Sequence, residues 1–337
     1  MRPLPLALAA ALSACSPVYV IKAAAGHTSL LLHRKSIEKT VGDPKTPPDV
    51  KSKLELVLDA RRFAFDTLKL RRSSDYSTWT PVQGDVLTWL VEAAPELALE
   101  PYSFKFPLIG SFPYKGYFKK ADAQAEAKGL EGRGYDVTIQ GAAAYKTPLW
   151  ISDPLPSSVL SYPPGELAGL LIHELTHGTV FFKSQTEFNE TLAEFVGQTG
   201  SQQFLSKRFG KDSKELADYR KSLDDDQRAS AVFDGLYREL DAIYKSSATA
   251  QAKLAAREPV FARGLGELNR AGFDYKKVNN AVVLAHRVYH DEADRAALQA
   301  AFDALGGDWA RFIAFAKTLD SKDPVADLKK RYPPRGG

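Results

Sequence analysis

The sequence predicts an α+β fold: a small mixed sheet next to a buried helix carrying H-E-x-x-H, with a mainly helical carboxyl-terminal lobe. Three observations predict it. Residues 86–145 hold several short runs rich in aromatic and β-branched residues, grouped around one alanine-rich segment. Leu170-Leu171-Ile172-His173-Glu174-Leu175-Thr176-His177 is apolar except where two histidines and a glutamate interrupt it. From Lys211 onward the chain reads as periodic apolar segments joined by short turns. The expected organisation is a leader at 1–14 and one domain at 15–337. Within that domain, 15–210 forms an α+β lobe with the motif and 211–337 a helical lobe.

The chain after the leader is long enough to bury a substantial core. Its composition is ordinary for a globular protein, with 44% hydrophobic, 26% charged and 11% aromatic residues. The formal net charge of +4 is spread along the chain. Nothing in that distribution supports nucleic-acid binding.

The leader comes first. Arg2 supplies a short positive region, Leu4 to Leu12 an apolar one, and Leu12-Ser13-Ala14-Cys15 a small-residue cleavage site. The apolar stretch is too short for a stable membrane span. L-S-A-C resembles a bacterial lipobox, which implies lipidation at Cys15, the only cysteine in the chain. An exported protein with no internal disulfide fits that usage. The alternative is a secretory peptide cleaved near Cys15 without lipidation. Ser16 at the next position resembles lipoproteins sorted to the outer membrane.

Val18 to about Lys39 reads as a helix, with Leu30, Leu31, Leu32 and Ile37 as apolar positions. Gly42-Asp43-Pro44 and Pro47-Pro48 break the chain, and Asp49 can cap a helix over 50–70. Arg61 and Arg62 read as its solvated face. Leu87–Val91, Ser103–Pro107 and Asp136–Gly141 read as strands, and Ser111–Phe118 as a turn leading into another. Ala121–Leu130 is a short helix ended by glycines. Val137–Tyr145 is either an edge strand that pairs with an extended peptide or an internal strand with no ligand role.

Tyr162-Pro163-Pro164-Gly165 leads into the motif helix, expected to run to about Lys183. On a helix, positions i and i+4 share a face, so His173 and His177 can direct both imidazoles at one point. Glu174 sits on the flank of that point. Leu167, Leu170, Leu171, Ile172, Leu175, Val180, Phe181 and Phe182 surround the motif, which marks the helix as buried. A carboxylate left unpaired inside a core is costly, and a cation removes that cost. Two neutral nitrogen ligands at helical spacing, a third protein ligand and one open position suit zinc. Ser184-Gln185-Thr186-Glu187 has capping-box spacing and marks a second helix. Two helices joined by a tight turn pack antiparallel, so Asn189–Glu194 is where the third ligand is sought.

H-E-x-x-H followed by N-E-x-x-A-E, here Asn189-Glu190-Thr191-Leu192-Ala193-Glu194, resembles the glutamate zincins. The resemblance implies a zincin-like fold, Glu190 as third ligand of one Zn2+ ion, and Glu194 as the carboxylate that orients a ligand histidine. A narrower likeness is to the predicted aminopeptidase lipoprotein family of Gram-negative bacteria. It rests on His173–His177, Phe188–Thr191, Arg61/Arg62-Phe63-Ala64, Tyr114–Phe118, Ala144-Tyr145 before Trp150, Asp153-Pro154 and the lipobox. Lys146–Leu149 and Gly178 depart from that family's usual pattern and bear on the shape of the substrate pocket.

The helical lobe is expected to comprise 228–244, 250–268, 275–289, 292–305 and 309–319, punctuated by Gly306-Gly307 and Pro333-Pro334. Zincins commonly draw an oxyanion donor from such a lobe, worth about 3 kcal/mol. Tyr289 is the first candidate because a neutral phenol can donate across the working pH range; His290 is second. The alternative places Tyr289 in the core and His290 on the surface. His286 and His290 share i, i+4 spacing with no acidic partner in register, so no second metal site is expected. His27 and His33 form no pattern.

Together these readings predict a zinc peptidase acting on a peptide substrate. His173, His177 and Glu190 are the metal ligands, and Glu174 is the general base. The enzyme is expected to be lipid-anchored at Cys15 in the cell envelope, at the outer membrane facing the periplasm. An aminopeptidase is the first reading. The alternatives are a zinc endopeptidase and a non-catalytic zinc-containing envelope lipoprotein.

Overall fold

In the computed structural model, residues 17–106, 110–144, 152–287 and 292–333 are described. The chain opens with α1 (Pro17–Leu32), β1 (Lys35–Ser36), α2 (Ile37–Gly42), α3 (Pro48–Asp66) and β2 (Thr78–Thr80). Next come β3 (Thr88–Pro95), β4 (Phe104–Phe106), β5 (Gly110–Phe112), β6 (Tyr114–Tyr117), α4 (Lys120–Glu131) and β7 (Tyr135–Ala142). Strand β8 (Leu155–Pro156) and a 3-10 turn at Ser157–Ser161 precede α5 (Pro164–His177), α6 (Thr186–Phe209) and α7 (Lys214–Lys245). The rest is α8 (Ala250–Arg270), α9 (Asn280–Arg287), α10 (Glu292–Ala304), α11 (Trp309–Ala316) and α12 (Pro324–Arg331). This is a mixed α+β protein with small sheets and a helical carboxyl-terminal region. No described helix is long and apolar enough to cross a membrane.

The chain forms two compact units, each assembled from three segments. The first comprises Met1–His33, Pro81–Tyr145 and Arg228–His286; the second comprises Arg34–Thr80, Lys146–Gln227 and Arg287–Gly337.

In the first unit β3 is the central strand of an antiparallel sheet ordered β6-β3-β7, with Leu90 opposite Gly116 and Val91 opposite Ile139. Strand β7 is thus an edge strand, paired on one side among the described residues; Tyr145, the end of the expected segment, lies outside them. Ala123, Ala127 and Leu130 of α4 cover Val91, Ala93 and Val137 on the sheet. Alanines at these positions let the helix approach the sheet closely. A second core joins Phe233, Leu236 and Leu240 of α7 to Val260 and Leu268 of α8 and Val283 of α9. Arg257 is buried there, 2.9 Å from Asp136, whose other donors include the Asn280 backbone N–H at 3.1 Å. Satisfying both charges in this way is what makes their burial tolerable.

The second unit contains the motif. Its small sheet is mixed: β2 lies antiparallel to β1 and parallel to β8, with Trp79 opposite both Lys35 and Leu155. Helices α5 and α6 form its most extensive packing and α3 packs against α5. On the other side of α6, Phe195 meets Phe312 with ring centroids 5.4 Å apart, and Trp309 donates its indole N–H to Gln203 at 2.8 Å.

Several expectations need correction here. The first helix stops at Leu32 because Lys35 and Ser36 are drawn into pairing with β2. Helix α3 ends at Asp66, and Lys69 at φ 60° takes the chain out of helical geometry. Arg61 is not on a solvated face: it is partly buried, donating Nε to the Asp75 carbonyl at 2.9 Å and Nη2 to the Ser73 carbonyl at 3.0 Å. The motif helix ends at His177, capped by Gly178, rather than near Lys183. The Ser184–Glu187 capping box does not form. Ser184 has φ 62°, whereas a capping residue needs extended backbone, and Gln185 precedes the helix without a side-chain cap. Asn189 holds the turn instead: its Oδ1 accepts from Phe182 N at 2.8 Å and its Nδ2 donates to Phe182 O at 2.7 Å. Helix α7 is longer than expected, and α12 was not expected. Helix α9 begins only at Asn280, where Asn279 Oδ1 accepts from Val282 N at 3.0 Å.

Candidate metal centre

The centre is built by α5 and α6, and their close approach depends on small residues. Gly197 faces the motif helix; a Cβ there would lie 3.0 Å from the Gly169 carbonyl and 3.3 Å from His173 Cβ. Ser201, fully buried, ties the helices together by donating to the Gly165 carbonyl at 2.8 Å. The consequence is that one face of α6 lies within side-chain reach of His173 and His177.

Three ligand-type atoms converge. His173 Nε2 is 3.1 Å from His177 Nε2 and 3.2 Å from Glu190 Oε2, and His177 Nε2 is 3.6 Å from the same oxygen. Tetrahedral zinc with bonds of about 2.0–2.1 Å separates its ligand atoms by roughly 3.3 Å. The triangle of nitrogen, nitrogen and oxygen brackets that value, and the donor set is the one zinc prefers. The same three residues are the group of metal-ligating side chains found among the described residues. The structure therefore brings together His173, His177 and Glu190 as a group able to hold a metal ion.

The surroundings are acidic. Glu194 Oε2 lies 3.4 Å from His173 Nδ1, the ring nitrogen that faces away from the convergence point. A proton on Nδ1 donated to Glu194 leaves the Nε2 lone pair for a metal. Gln198 in turn donates to Glu194 Oε1. Glu187, the other acidic residue on this helix, is exposed and outside the group. Burial alone opposes a charge on His173. Its bonds to Glu190 and Glu194, with the charges of Glu174 and Glu194, more than offset that and push its pKa up to about 10. Burial likewise opposes a charge on Glu190, yet His173 and His177 hold it down to about 2. A site that holds a proton this firmly carries surplus negative charge, which a divalent cation would neutralise.

Other expected residues fall elsewhere. Tyr289, His290 and Cys15 lie outside the described residues. His286 belongs to the first unit, where it stacks on Phe233 at 4.0 Å and bonds the Tyr275 hydroxyl. The sequence reading assigned no role to Asn189 or Gly197. Asn189 sits inside the quoted motif, so its clamp on Phe182 was within reach; Gly197 carries no signal short of the packed helices.

Residues 18–330 match the model of a family described as “Putative aminopeptidase”. No curated protein and no solved structure matches the chain.

Proposed function

The chain belongs to the “Putative aminopeptidase” family, and from that premise we propose that it is a zinc-dependent peptidase, in the first instance an aminopeptidase of the cell envelope. The observation that carries the reading is the convergence of His173, His177 and Glu190 beside Glu174. Zinc held by those three residues would supply Lewis-acid polarisation of the scissile carbonyl and acidify a water. The chain's own residues do the rest. Glu194 accepts a hydrogen bond from the Nδ1–H of His173 and fixes that ring's orientation. Glu174, one residue along the helix, takes a proton from the attacking water on its carboxylate and returns it to the leaving amine nitrogen. A purely structural site has no use for a base in that position, which argues against the non-catalytic lipoprotein.

The test uses the soluble protein with free and N-acetylated versions of the same peptides, with and without a chelator. We expect chelator-sensitive cleavage of the free-amine peptides only. Cleavage of both forms would establish the endopeptidase, and no chelator-sensitive cleavage would end the peptidase reading.

The L-S-A-C leader supports lipid anchoring at Cys15, at the outer membrane facing the periplasm. Cys15→Ala is expected to move the protein from the membrane fraction to the soluble one. A variant that stays with the membrane would rule out the lipid tether.

A further inference from the structure

Helix α1 turns one face to the first unit and the other to solvent. Tyr19, Lys22 and Gly26 share the packed face. The Tyr19 ring lies 5.8 Å from that of Phe106 and 5.3 Å from that of Tyr117. Lys22 Nζ is 2.7 Å from Asp122 Oδ1 on α4. A Cβ at Gly26 would lie 2.2 Å from the Phe118 ring, so only glycine permits this approach.

The opposite face is largely apolar and uncovered. Ile21, Ala25, Thr28 and Leu32 recur at i, i+4, i+7 and i+11, a single stripe along the helix. Ile21 is 68% exposed and Leu32 76%, with Val20 beside the stripe at 50%. These three are half of the six large apolar side chains exposed among the described residues. Such clustering marks an interaction surface. The charge around it has one sign: Lys22, Arg34 and Lys35 all precede Glu38, the first acidic residue of the chain.

What covers the stripe follows from the tether. Only Ser16 separates Cys15, the residue proposed to carry lipid, from the first residue of α1. Two extended residue steps span about 7 Å, so the helix starts within the headgroup layer of the bilayer, itself roughly 5–7 Å thick. From Ile21 to Leu32 the helix rises about 16 Å. Standing upright on the membrane, it would lift Leu32 out of that layer into water. Lying along the surface, it sets both ends of the stripe against the acyl boundary, and the cationic character of this stretch suits lipid phosphates.

We propose that α1 is an interfacial helix that docks flat on the bilayer through Ile21, Thr28 and Leu32, so that the lipid at Cys15 tethers the protein and α1 orients its first unit on the membrane. The proposal rests on the lipid-anchor reading above. The stripe by itself holds a bilayer weakly, because few large apolar side chains enter it. Unlipidated protein therefore leaves washed membranes, and its partition is measured at high lipid concentration.

The test uses the mature chain carrying Cys15→Ala, alone and combined with Ile21→Ser, Leu32→Ser or both, titrated with vesicles of phosphatidylethanolamine and phosphatidylglycerol. Partition is read by flotation, beside the thermal midpoint and sedimentation without lipid. Each serine is expected to weaken partition about tenfold, the low end for burying one such side chain, and the pair about 100-fold. Both side chains are exposed, so the midpoint should hold. Equal partition by the parent and the double variant, including failure of both to bind, overturns the proposal. So does a loss confined to Ile21→Ser, which would mean an upright helix. A dimer in lipid-free solution that the double variant dissociates also overturns it, by making the stripe a contact between copies. Failure of the lipid-anchor reading shows separately, as no lipid mass added at Cys15 in wild-type protein from cells, and the vesicle comparison still decides α1.

Discussion

Glu174→Gln is expected to keep its metal and lose turnover, by about 10²–10⁴-fold, the usual contribution of a positioned general base. The substitution preserves shape, so packing along α5 should survive. What disappears is the ability to hold a proton: an amide oxygen cannot take one from water at neutral pH. Glu174 stands outside the ligand triangle of His173, His177 and Glu190, so the metal has no direct contact to lose. Its charge does act on His173. Losing that negative charge also weakens proton retention on His173, so metal binding at neutral pH should be undiminished. Metal analysis and single-turnover cleavage on the same sample decide the matter. A fully loaded variant with wild-type turnover would remove Glu174 from the mechanism.

Helical spacing made the ligands legible. His173, His177 and Glu190 lie on two helices whose period fixes which side chains share a face, so a linear motif translates directly into geometry. The residues that hold those helices together were harder to read. Ser184-x-x-Glu187 has the spacing of a capping box, yet the backbone at Ser184 is left-handed and Asn189 clamps the turn. Arg61 occupies the polar side of an amphipathic stripe, and only the return of the chain at 73–75 buries it. Strands β1, β2 and β8 are too short for any two-residue alternation to show. Tyr76 was equally hard to read: it sits in a loop, and its burial and left-handed backbone show only in the folded chain. Residues 86–145 did show their strands, because aromatic and β-branched runs there alternate against a helix.

Removal of Glu190 should have the larger effect on the metal. Mutating a residue that orients a ligand costs about 10–100-fold in metal affinity, which is the expectation for Glu194→Gln. Glu190→Ala removes a ligand outright and should cost more than that, in the order Glu190 above Glu194. A fully loaded Glu190→Ala protein would transfer the ligand role to Glu194 or Glu187. The metal-free protein offers an independent check through pH. The folded-state pKa of His173 is raised, so its stabilising contribution is complete below its unfolded value of about 6.5 and is lost as pH rises through about 10. That of Glu190 is depressed, so its contribution is complete above an unfolded value of about 4.3 and is lost as pH falls through about 2. The metal-free protein should therefore gain most from this pair between roughly pH 4.3 and 6.5, and Glu190→Ala should flatten the profile there. Metal binding runs the opposite way on the basic side. His173 must give up a proton to use its nitrogen as a ligand, so wild-type affinity should fall about tenfold for each pH unit below 10 while other ligands stay in one state. A metal affinity independent of pH between 6 and 9 would mean that His173 is already neutral in the metal-free site, and that the proton does not stand in for the ion.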